Sequence, residues 1–165
     1  MKNIVLIGMP GAGKSTIGVV LAKVTGYEFI DSDLMIQKRE KRLLSQIIKE
    51  EGLNRFIEIE GDVNRNLEAE RAIIATGGSA VYDEDAMIHF KETSTIVYIK
   101  LSYETLVTRL GDLKKRGVVL QKNQTLKDLY EERHPLYERY ADYVVDGEGK
   151  TIEALMLTIR EKLNL

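Results

Sequence analysis

The chain has 165 residues, 44% of them hydrophobic and 30% charged, with a net charge of −2, no cysteine and two histidines. These numbers fit one soluble globular domain with a sizeable core. They exclude a disulfide scaffold, a thiolate metal site, and the concentrated basic surface that nucleic acid or a membrane face requires. Residues 3–7, NIVLI, are a short apolar run suited to a buried parallel strand. Helix is expected over 14–25, where Ile17, Leu21 and Val24 share a face. EFID (28–31) reads as a second strand, and 34–51 as mostly helical with a break near Lys41. After Gly52 the pattern is helical again over 53–68, AIIAT (72–76) is a third strand, and 83–91 a short helix. TIVYIK (95–100) is a fourth strand, followed by helix over 102–110. The polar, basic stretch 111–123 reads as a mobile loop. Residues 125–140 suit a helix that Pro135 kinks or interrupts, YVVD (143–146) a fifth strand, and 150–163 a closing helix.

Strands alternating with helices imply one α/β domain over 1–165, a five-stranded parallel sheet with helices on both faces. Ligands in such sheets bind beyond the carboxyl ends of the strands, so the residues after each strand carry the functional information. The opening MKNIVLIGMPG holds one lysine, and its apolar run is cut by Pro10 and Gly11, too short for a signal peptide or a membrane span. A cytoplasmic monomer acting on a small molecule is the expectation, with neither nucleic acid nor membrane as partner.

After the first strand comes GMPGAGKST (8–16), which fits G-x-x-x-x-G-K-[ST]. Glycines let successive N–H groups turn inward around a phosphate, and the following helix N-terminus adds favourable partial charge. A P-loop of this kind places Gly8, Gly11, Ala12, Gly13, Lys14, Ser15 and Thr16 against ATP. Lys14 reaches the outer phosphates and the Ser15 hydroxyl takes a position on Mg²⁺. Asp31 and Asp33 follow the second strand in FIDSDLM. Two aspartates there suit an N-cap pair as well as they suit a metal carboxylate beside a general base.

The ordered set of motifs resembles the shikimate kinase family of small P-loop kinases over nearly the whole chain. It comprises the cradle at 8–16, D-x-D at 31–33, TGG at 76–78, a basic stretch at 109–117, and R-x-P-L-Y-x-x-x-A-D at 133–142. The resemblance implies ATP and Mg²⁺ as cofactors and phosphoryl transfer to a hydroxyl, with shikimate as acceptor and shikimate 3-phosphate as product. It assigns Asp31 to Mg²⁺ through water, and Asp33 to the acceptor hydroxyls and to proton removal. Gly77 and Gly78 lie against the substrate, Arg133 grips its carboxylate, and Arg109 lies against adenine. Arg116 closes with a lid at about 111–123 and stabilises the transferring charge. The acceptor is held by helices at about 32–68, and Tyr137 and Asp142 serve the fold.

Two departures stand out. The family pattern G-E-x-x-F-R-x-x-E reads GLNRFIEIE at 52–60, so Leu53 replaces a glutamate and Ile57 an arginine. Arg55 is two residues from that position, about 200° around a helix, and is expected to point away. The family's third glycine is Ser79. Hydrogen bonds to a charged group contribute roughly 1.5–3 kcal/mol, so a lost arginine weakens carboxylate binding by about 10- to 150-fold. Three functions follow: a shikimate kinase, a diverged kinase of another small hydroxy metabolite, and a nucleotide-binding regulator without transfer.

Overall fold

The computed structural model describes residues 2–111 and 121–165. Among the described residues, five strands, β1 (Asn3–Ile7), β2 (Glu28–Asp31), β3 (Ala72–Ala75), β4 (Ser94–Lys100) and β5 (Tyr143–Asp146), form one parallel sheet in the order β2-β3-β1-β4-β5. All five residues of β1 are buried. Successive strand side chains point to opposite faces, so β1 is covered on both. Strand β5 lies at an edge and buries Val145 alone. The expected α/β architecture is therefore the observed one.

Among the described residues, eight α-helices surround the sheet: α1 (Lys14–Thr25), α2 (Ser32–Glu40), α3 (Leu44–Glu51), α4 (Leu53–Arg65), α5 (Glu84–Thr93), α6 (Tyr103–Leu110), α7 (Leu126–Tyr140) and α8 (Ile152–Leu163). Lys41, at φ 54°, ends α2 at the expected break. Thr125 and Asp128 start α7 with a capping box, each side chain accepting from the other residue's backbone N–H. Pro135 lies inside α7 without ending it, which corrects the expected interruption: the helix is continuous from Leu126 to Tyr140. Proline removes one N–H, and the burial of Leu126, Leu129 and Tyr137 along the same helix offsets that loss.

The main core is centred on β1, β3 and β4. A second, smaller cluster of Ile36, Ile47, Phe56, Ile59 and Val63 joins α2, α3 and α4 into one subassembly beside the sheet. Strand β3 stops at Ala75, one residue before the expected end. Thr76 instead donates both its N–H (3.3 Å) and its hydroxyl (2.9 Å) to the Leu6 carbonyl, locking the end of β3 to β1. Asp142 fixes the entry to β5, accepting from Ile96 N (2.8 Å) and Lys91 Nζ (2.7 Å).

Candidate active site

The loop between β1 and α1 has its glycines where side chains cannot go. Gly8, Gly11 and Gly13 have φ of 146°, 80° and 91°. A Cβ on Gly8 would stand 2.8 Å from the Ile99 carbonyl oxygen. Ala12 is buried, while Ser15 and Thr16 are exposed at the first turn of α1. Lys14 is buried, and its Nζ donates to the carbonyls of Gly8 (2.7 Å) and Met9 (2.8 Å). Burial lowers its pKa to about 8, against the opposing attraction of Asp33. The Arg109 guanidinium reaches the same loop, donating to the Gly11 carbonyl at 3.4 Å.

Asp31 does two jobs at the end of β2. Its Oδ1 caps α2 by accepting from Asp33 N (3.0 Å) and Leu34 N (3.4 Å). Its Oδ2 accepts from the Ser15 hydroxyl at 3.0 Å. The N-cap reading is the observed one, and the same side chain also meets the Ser15 hydroxyl. Two neighbouring hard oxygens, Ser15 Oγ and Asp31 Oδ2, suit Mg²⁺, which takes few protein ligands and completes its shell with phosphate and water. Among the described residues no group of three or more histidines or carboxylates could hold a metal alone. Asp33 follows two residues later, and burial first, then the Asp31 charge, raises its pKa to about 6.

Gly77 and Gly78 follow β3. Neither has a left-handed φ; what restricts them is space. A Cβ on Gly77 would lie 2.7 Å from Glu60 Oε2 and 2.8 Å from Asp33 Oδ1. A Cβ on Gly78 would lie 2.8 Å from both Arg133 Nη1 and Pro10 Cδ. These two residues are therefore the meeting point of α2, α4 and α7. The Tyr137 hydroxyl donates to the Gly78 carbonyl at 2.6 Å and holds the turn in place. Arg133 is buried; its Nε donates to the Tyr82 hydroxyl at 3.1 Å, and its guanidinium lies over the Tyr82 ring.

Glu60 was not among the expected site residues, although it closes the quoted helix pattern. It is 1% exposed. Its Oε1 accepts from the Ser79 hydroxyl at 2.6 Å, while Oε2 is buried without a partner among the described residues. Burial raises its pKa to about 7 despite that hydrogen bond. A sequence signal existed: Glu60 is four residues after Phe56 and three before Val63, on the apolar face of α4. Ser79 has φ −88°, so the departure from glycine strains nothing, and its hydroxyl serves Glu60. Tyr82 was missed too, because nothing in its local sequence marks it.

Leu53 and Ile57, one turn apart on α4, line a cleft of about 200 Å³ with Tyr82, Leu129, Glu132 and Arg133. Arg55 faces away as expected, paired with Glu58 (2.9 Å) and Glu51 (3.6 Å). Arg116 and most of the expected lid lie outside the described residues.

A sequence profile described as shikimate kinase matches residues 10–164. The chain belongs to the shikimate kinase family. A shikimate kinase of Thermodesulfovibrio yellowstonii is 36% identical over 156 residues, 93% of this chain and 90% of that one. The solved structure of Acinetobacter baumannii shikimate kinase in complex with shikimate superposes with a TM-score of 0.90 at 31% identity, over 99% of this chain and 94% of that one. The shikimate kinase of Aquifex aeolicus gives 0.86 at 34%, over 98% and 96%. The fold and the phosphotransferase class expected from the motifs are those of this shikimate kinase family.

Proposed function

We propose that this chain transfers the γ-phosphoryl group of ATP to the 3-hydroxyl of shikimate. The observation that carries the reading is convergence: the cradle with Lys14, the Ser15–Asp31 pair, Asp33 and Arg133 meet where Gly77 and Gly78 follow β3. Bound ATP supplies the phosphoryl group, and Mg²⁺ held beside Ser15 and Asp31 would neutralise its oxygens. Lys14 is placed to hold the outer phosphates with its buried ammonium. Arg133 binds the acceptor carboxylate, the contact for which a guanidinium fork is suited. Asp33, with a pKa near 6, is an anion at neutral pH and takes the acceptor proton as its oxygen attacks. Arg116 and Arg109 complete the site on the strength of the family motifs, Arg116 at the transferring group and Arg109 beside adenine.

The test is ADP release in a coupled assay with and without shikimate. Shikimate-dependent turnover that Asp33→Asn abolishes, while ATP binding persists, supports the reading. No stimulation by shikimate, or full turnover in Asp33→Asn, overturns the substrate or the assigned base respectively.

A further inference from the structure

Tyr82 meets Arg133 in two ways, through its hydroxyl and through its ring. Ala80–Tyr82 form a single 3-10 turn directly after Gly77, Gly78 and Ser79. Ala80 and Val81 are buried, and Tyr82 N donates to the Ser79 carbonyl at 3.1 Å, so the Tyr82 backbone is fixed to the turn that borders the site. Helix α7 grips that turn from two residues four apart on one face: the Tyr137 hydroxyl donates to the Gly78 carbonyl at 2.6 Å, and Arg133 Nε donates to the Tyr82 hydroxyl at 3.1 Å. The Arg133 guanidinium also lies 5.2 Å from the centroid of the Tyr82 ring. A hydrogen bond on the Nε edge and a ring against the face restrict rotation of the planar group. Its Nη1 is turned towards Gly78, where a Cβ would stand 2.8 Å away. Tyr82 is itself braced. Its hydroxyl donates to Glu132 Oε1 at 2.6 Å, Gln124 Nε2 donates to Oε2 of the same carboxylate at 3.1 Å, and Gln121 N donates to Gln124 Oε1 at 3.1 Å. Burial, then the Glu132 carboxylate, raises the Tyr82 pKa, so the phenol keeps its proton. It therefore accepts from Arg133 and donates to Glu132. Adjacent helix residues diverge by about 100°, and the phenol joins these two opposite charges across that angle.

We propose that Tyr82 is a positioning residue for the acceptor: its hydroxyl and ring set the plane of the Arg133 guanidinium, and Glu132 holds Tyr82 in place. This inference rests on the phosphotransfer reading above and adds the residue that aims its carboxylate-binding group. A guanidinium fork binds a carboxylate well only in a narrow range of orientations. Phenylalanine at position 82 keeps the ring and removes the oxygen that fixes the Nε edge. A charged contact weakened by that misalignment is worth on the order of tenfold in acceptor affinity.

The experiment is steady-state kinetics with MgATP and shikimate on the wild type, Tyr82→Phe, Arg133→Lys, the double variant and Glu132→Leu. Tyr82→Phe is expected to raise the shikimate KM by about tenfold, with kcat and the ATP KM held within about twofold. Lysine at 133 has no Nε edge to aim. In that background Tyr82→Phe is expected to change kcat/KM for shikimate by less than about twofold. Glu132→Leu, at an exposed position, is expected to raise the shikimate KM by about threefold, because Tyr82 loses its acceptor. A shikimate KM unchanged in Tyr82→Phe overturns the inference and leaves phosphotransfer standing. So does an equal rise in the ATP KM, or the same fold-loss with and without Arg133, since a tyrosine that serves the fold alone would behave that way. If Tyr82→Phe does not fold, an unchanged shikimate KM in Glu132→Leu overturns the inference and a raised one supports it. No turnover of shikimate by the wild type, with ATP binding retained, overturns the phosphotransfer reading and this inference with it.

Discussion

Replacing Glu60 by glutamine removes a charge from one of the most enclosed places in the molecule and leaves the shape nearly unchanged. Burial lifts the Glu60 pKa from 4.5 to about 7. A raised carboxylate pKa means the folded state resists ionisation. The stability that goes with the protonated form is complete below the unfolded value of 4.5 and is lost as pH rises through the folded value near 7. At 1.36 kcal/mol per unit, the loss amounts to about 3 kcal/mol above neutrality. Glutamine keeps an oxygen for the Ser79 hydroxyl but does not titrate. Its amide changes stability by an amount that does not depend on pH, so the pH dependence isolates the carboxyl. Urea unfolding of both proteins from pH 4.5 to 8 is the assay. The wild type is expected to lose about 3 kcal/mol relative to Glu60→Gln across that range, or roughly 6–12 °C in Tm. A difference that stays flat within about 1 kcal/mol across the range would refute the reasoning, because Glu60 would then ionise in the fold as easily as out of it.

Gly78→Ala puts a methyl 2.8 Å from Arg133 Nη1 and Pro10 Cδ. Steady-state kinetics are expected to show the acceptor KM raised by about tenfold or more, from one displaced charged contact, with the ATP KM little changed. Asp31→Asn preserves a good N-cap but removes the charge beside Ser15. Titrating Mg²⁺ at saturating ATP is expected to give a half-maximal concentration about tenfold higher; an unchanged titration argues against Asp31 in the metal shell. Tyr137→Phe deletes the 2.6 Å bond to the Gly78 carbonyl in a fully buried place. It is expected to lower stability by about 1–3 kcal/mol in thermal or urea melts.

The sheet and most helices were legible because each short apolar run was bounded by glycine or charge, and each helix showed its face. Lys41 announced the break between α2 and α3 by interrupting that pattern, and the backbone there is left-handed. The helix at α7 was legible despite Pro135, which left a kink or an interruption open; the interruption does not occur, because Leu129 and Tyr137 anchor the helix on either side of it. In the site, the cradle could be read from spacing, whereas Asp31 was equally legible as a helix cap, which it is. Glu60 could have been read as the lone carboxylate on an apolar helix face. The role of Ser79 could not, because its partner lies on α4, nineteen residues away in sequence. Gly77 and Gly78 were singled out for close approach of a ligand, and the structure shows a different use: they leave room for the side chains of Asp33, Glu60 and Arg133.

The way β3 is fastened between β1 and β2 bears on how the protein acquires its site. Asp31 is level with Ala75, Ala75 with Leu6, and Thr76 clasps the Leu6 carbonyl across a sequence separation of 70 residues. Strands β1 and β2 do not pair with each other. Until β3 has been made and inserted between them, nothing in the sheet holds the Ser15 and Asp31 ends in line. The glycine-rich loop and Asp31 are thus present in the chain before the strand that aligns them, and closure of this non-local pairing is a slow kind of step.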